Sequence, residues 1–92
     1  MYQANAMQYL ATSAGASITA LTGAGYWGGI FAYCSGAAGS LTVKDSAAII
    51  LIWSGAAAAT ISYNPVFAVA VTGGLSVTGS GGVAYIVNYR SQ

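Results

Sequence analysis

Three residues in this chain of 92 carry a formal charge: Lys44, Asp45 and Arg90. That is 3% charged, where an ordinary soluble domain has about 25%. A free monomer with so few charges has little to oppose self-association. The fold must therefore be one whose surface is covered by something else, lipid or protein.

The low charge is not the mark of a disordered chain. Hydrophobic residues make up 57% and aromatic residues 12%, the reverse of a disordered composition. The length allows one core and one domain. Net charge is +1 with no His, which gives no basic footprint for nucleic acid and no polybasic membrane patch. Met1–Val43 has no charge and so lacks the positive n-region of a secretory signal. The expectation is a mature chain used where it is made. Cys34 is the one cysteine and reads as a small buried apolar residue, not a reactive thiol.

Gly, Ser, Thr and Ala punctuate the sequence at short intervals, and between them lie runs rich in Val, Ile, Leu, Tyr and Thr. That rhythm predicts an all-β domain with tight turns. Val83–Tyr89 alternates, with Val83, Tyr85, Val87 and Tyr89 on one face. With Leu75–Thr78 before it, it reads as a hairpin across Gly79–Gly82. Val66–Val71 reads as a strand begun by Pro65. Ser40–Lys44 places Leu41 and Val43 inward, and Asp45–Ala48 suits a turn in which Asp bonds its own backbone. Ile49–Trp53 is a continuous apolar run, consistent with a strand buried on both faces, and Trp53 reads as core. Ala56–Ala59 leaves a helix as the lesser alternative, and Thr60–Tyr63 reads as another short strand.

In the N-terminal half, Ile18–Thr22 reads as a strand closed by Gly23–Gly25. Tyr26–Ser35 is a long strand whose Gly28-Gly29 pair predicts a bulge, and Gly36–Gly39 reads as the next turn. Residues 1–16 are an N-terminal arm or first strand, and residues 17–92 a β-sandwich domain. The whole is a small, jelly-roll-like β-sandwich of about seven or eight short antiparallel strands.

Membrane helices fit poorly. Ala24–Ala38 and Ala47–Ile61 are charge-free, but both fall short of the roughly 20 predominantly apolar residues that a span needs. Period-two alternation at Leu41–Val43, Leu75–Val77 and Val83–Tyr89 belongs to strands, and these are too short for a transmembrane barrel. Protein is therefore the expected cover.

Catalysis lacks its parts. One Asp and no Glu exclude a carboxylate pair, and the absence of His excludes Ser-His and Cys-His arrangements. One Cys and one Asp do not fill a metal site, and no Lys follows Gly79–Gly82 as a phosphate loop requires. No enzyme, cofactor or metal is expected. The candidate residues are contact residues. Tyr26 and Trp27, beside the glycine pair, either cap the core or anchor a partner. Tyr2, Met7 and Tyr9 lie on an apolar segment suited to lie on a neighbouring subunit. Arg90 either meets a partner's carboxylate or keeps an exposed end soluble.

Leu41–Asp45, Gly74–Thr78, Gly79–Gly82 and Val83–Arg90, preceded by the strand–turn–aromatic strand of Ile18–Tyr33, resemble a class of small bacteriophage virion proteins. The resemblance covers about residues 18–90. It implies a compact β-sandwich built into a phage particle. The partners would be the major capsid protein or other virion proteins, together with copies of the chain itself as a dimer or trimer. Similar proteins serve as decoration or cement subunits on the capsid exterior. Others are parts of the tail, adaptor or fibre, where exposed aromatics can meet host glycans. The chain departs from the pattern at Asp45-Ser46 and at Ala56–Ala59. A small membrane protein is the reading from a different class.

Overall fold

The computed structural model describes residues 8–12, as backbone, and residues 15–91. Every regular element among them is a strand: β1 (Gln8–Thr12), β2 (Ser17–Leu21), β3 (Gly25–Asp45), β4 (Ala48–Gly55), β5 (Thr60–Tyr63), β6 (Val69–Val71) and β7 (Leu75–Ser91). All pairings are antiparallel, within one hydrogen-bonded sheet. The all-β expectation holds, and Ala56–Ala59 forms a turn, not a helix.

Two long strands organise the sheet. β3 has 21 residues and β7 has 17, and they pair with each other along most of their length. On the far side of β7 lie β2 and β1, and on the far side of β3 lie β4, β5 and β6. A straight strand of 21 residues would run about 69 Å at about 3.3 Å per residue. The longest extent of the molecule is 37 Å, so the ribbon must fold over.

The fold occurs where the register jumps from Cys34↔Val83 to Gly39↔Gly81. Residues 35–38 of β3 are set there against residue 82 of β7. The extra residues also explain the core pattern. Ile30, Ala32 and Cys34 point inward before the corner, and Leu41 and Val43 after it, so the inward parity of β3 changes from even to odd. β7 keeps one parity throughout: Leu75 and Val77 before the corner, Val83, Tyr85 and Val87 after it, all buried. Gly81 holds the corner with φ +66, and a Cβ there would collide with the Ala38 carbonyl.

Two hydrogen-bond sets show the halves face to face. The Tyr85 hydroxyl donates to the Ala16 carbonyl at 2.8 Å and lies 3.3 Å from the Val77 carbonyl, which an extended strand would place far out of reach. The two ends of β3 also meet at one turn: Gly25 pairs with Val71, and the Asp45 carboxylate accepts from the Thr72 and Gly73 amides. Between the halves lies a single apolar cluster with Trp27, Ile30, Leu41, Val43, Leu75, Val77, Tyr85 and Val87 at its centre. Each such aliphatic or aromatic side chain contributes about 1.5–3 kcal/mol by leaving water.

Several local expectations are corrected. Gly36–Gly39 and Gly79–Gly82 are not hairpin turns but the bend of β3 and β7, because the chain continues in the same direction and pairs with the same partner on both sides. Strands read as separate and short are thus joined into two long ones. The strand expected over Val66–Val71 is confined to Val69–Val71, with Val66 and Phe67 exposed. Ile49–Trp53 lies in β4 but is not buried on both faces: Leu51 and Trp53 pack on the core while Ile49 and Ile52 face outward. Asp45 bonds the β6–β7 turn instead of its own. The bulge at Gly28-Gly29 is present, as a register shift between Trp27 and Gly29.

Candidate interaction surface

The fold sorts the candidate contact residues. Trp27 is 2% exposed, with its ring against Tyr63 at a centroid distance of 5.3 Å. It belongs to the core, and its indole N–H has no acceptor among the described residues. Tyr26 points the other way and is half-buried, opposite Arg90 on β7 and Ala70 on β6. Strand alternation turns these two aromatics to opposite faces, and the bulge that follows lets Trp27 share the inward face of Ile30. Tyr9 lies in β1 opposite Asn88; Tyr2 and Met7 lie outside the described residues. Cys34 is buried at the corner, with its thiol 3.6 Å from the Gly55 carbonyl.

All three charges gather at one end of the molecule. Asp45 holds the β6–β7 turn, Lys44 adjoins it, and Arg90 flanks Tyr26, which in turn flanks Ala70 just before that turn. The remaining surface, including the corner and the outer faces, carries no formal charge. On it lie apolar side chains that sequence reading alone did not single out. Phe31 is 44% exposed and stands opposite Ile86, and its ring lies 6.4 Å from that of Tyr33. Ile52 is 65% exposed on β4, while Ile49, 55% exposed, stands opposite Lys44 at the charged end. The alternation Ile30–Ala32–Cys34 against Phe31–Tyr33 holds the relevant signal, but both faces of that strand are apolar, so the pattern does not say which one is covered.

The corner also forms a shallow, open depression lined by small residues, among them Ser40, Ser54 and Ser80, with the Ser40 and Ser80 hydroxyls 2.6 Å apart. It offers hydroxyls and backbone but no ionisable group. No helix among the described residues is long and apolar enough to cross a membrane.

The structure clearly perturbs the titration of Asp45. The Gly73 amide, then the Thr72 amide, hold its carboxyl below the usual value of 3.8, outweighing partial desolvation. A carboxylate that is more acidic folded than unfolded stabilises the native state fully above the unfolded value, and the gain is lost as pH falls through the folded one. The wild-type melting temperature should therefore fall on acidification below pH 3.8 more than that of Asp45→Asn, which carries no charge at any pH. Parallel pH profiles of the two proteins by thermal circular dichroism check this; coincident slopes would remove the clamp from the account.

No protein-family model, curated protein or solved structure matches this chain.

Proposed function

We propose that this chain is a non-enzymatic structural protein of a bacteriophage particle, a decoration or cement subunit on the capsid exterior. In this reading the folded-over sheet serves as a small, jelly-roll-like β-sandwich. It is covered by major capsid protein and by copies of itself. The observation that carries the proposal is the surface: every charge sits at one end, and Phe31, Tyr33 and Ile52 stand exposed on the charge-free remainder. Such a surface suits burial across joints between subunits, where an interface near about 1,600 Å² gives specific attachment. Repetition over many copies lets modest single contacts hold firmly.

Electrostatics then predicts an unusual attachment. With so little charge to screen, release from particles should be nearly unchanged between low and high salt. Sedimentation of particles across a salt series, followed by quantifying the bound chain, tests this; steep loss at high salt would contradict apolar attachment. Location is tested by electron microscopy and mass spectrometry of intact particles. Copy numbers on the order of hundreds mean decoration, and about a dozen or fewer mean a tail, adaptor or fibre station. Absence from particles overturns the proposal.

A further inference from the structure

We infer that the β5–β6 loop is the anchor of this chain: Val66 and Phe67 enter an apolar, uncharged socket on another protein of the particle. The inference rests on the reading above and deepens it, since it names the side chains that hold the subunit in place.

The loop exists because β5 and β6 share one edge of β3 with chain to spare. β5 ends with Tyr63 opposite Ile30, and β6 starts with Val69 opposite Trp27. Between those two β3 positions lie Gly28 and Gly29, while residues 64–68 lie between Tyr63 and Val69. The surplus must stand off the sheet. Its flanks are held. Ile61 and Val69 pack on the core, and the Asn64 amide donates to the Ser62 hydroxyl at 2.9 Å. Pro65, with its φ fixed by the ring, sits beside Gly29, and Phe67 makes an isolated backbone bridge. Yet Val66 is 76% and Phe67 51% exposed, and neither joins the core or the side chains packed on it. An apolar pair held out on a fixed backbone loses little freedom on binding, which suits it to anchor an interface.

The chemistry of the loop selects the partner. Thr60–Val71 carries no charge, so nothing in it recognises phosphate or an anionic membrane. Neutral lipid is a poor match as well. A whole myristoyl chain gives only marginal membrane binding, and one valine with one phenylalanine buries less than that. A sugar is oriented by a few well-placed polar groups, and the loop's side-chain amide is already engaged with Ser62. A second copy does not fit, because the loop is convex and the corner depression is lined by serine, glycine and alanine, not by large apolar side chains. A concave apolar surface on a different protein meets every condition. Position agrees: Ser62, which holds Asn64, stands opposite Phe31, so the loop continues the exposed Phe31–Tyr33 surface.

The purified full chain should co-sediment with particles assembled without it. Val66→Asp should weaken that binding about 100-fold and Phe67→Ser about 10-fold, with circular dichroism and melting temperature unchanged because neither side chain is packed. Ala57→Asp, which puts the same charge in another exposed turn, should bind as wild type does. Two results overturn the inference and leave the virion reading standing: loop variants that bind like wild type, or a loss in Val66→Asp matched by Ala57→Asp. Wild type that binds phosphatidylcholine vesicles, or self-associates in sedimentation equilibrium, and loses this in Val66→Asp also overturns it, with lipid or a second copy as the occupant. A wild type that does not bind particles removes the virion reading, and this inference with it.

Discussion

Gly29→Ala should remove most of the protein's folding stability. Gly29 is buried in β3 just past the register shift, with φ +109. An L-residue held there costs about 1–3 kcal/mol in backbone strain alone. The new Cβ would also meet the Tyr63 carbonyl and the Pro65 ring, which lies 3.0 Å away. Neither neighbour can yield easily, because Tyr63 is hydrogen-bonded in β5 opposite Ile30 and its ring covers Trp27. Overpacking of this kind adds about another 1–3 kcal/mol. A small domain has a margin at the low end of about 5–15 kcal/mol, so the sum consumes most of it. The melting temperature should drop by roughly 15–30 °C. Gly23→Ala is the matched control: it lies in an exposed turn, has no positive φ, and nothing stands within 4 Å of its added Cβ. Its effect should stay within about 0.5 kcal/mol. Thermal denaturation of both variants decides the matter; equal stability would mean the bulge at Gly29 is not fixed as described.

That glycine was visible in the sequence because a Gly pair inside an aromatic strand has few other uses. The corner glycines were harder. Gly36–Gly39 and Gly79–Gly82 have the composition of hairpin turns, and local composition cannot tell a reversal from a bend. What separates them is long-range register: Cys34 opposite Val83 and Gly39 opposite Gly81 require the same two strands to continue past the corner. One hint was local. The spacing from Cys34 to Leu41 breaks period two, while Leu75, Val77, Val83, Tyr85 and Val87 keep it across four residues rich in glycine. A true hairpin has no need to conserve parity through its turn.

The contact surface was legible in outline only. The shortage of charge implied that something covers the chain. Which residues lie beneath the cover depended on the fold. Trp27 was as good a candidate as Tyr26 until strand alternation turned one inward and left the other half-buried. Ile52 looked like core because five apolar residues in a row, Ile49–Trp53, hide their alternation. Its exposure follows from pairing with Thr42, which faces away from the inward Leu41 and Val43. A side chain that reads as core and stands in solvent marks an interface more clearly than one whose polarity already announces the surface.

Tyr85→Ala should cost about 3–5 kcal/mol, the usual range for deleting a large buried aromatic ring, and Tyr85→Phe about 1–2 kcal/mol. The two numbers measure different things. The ring, 2% exposed, fills space between the halves of the folded sheet, so its loss leaves a cavity. The hydroxyl pins the fold: its bond to Ala16 ties the approach to β2, and its approach to Val77 ties β7 to itself across the corner. Removing the oxygen alone leaves the Ala16 carbonyl short of a donor. Urea denaturation of the three proteins, with hydrogen exchange read at Val77 and Val83, separates the effects. The Phe variant should lose protection around the corner before it loses the rest of the sheet, since the ring still fills the core while the pin is gone. A Phe variant as stable as wild type would show that packing alone holds the bend.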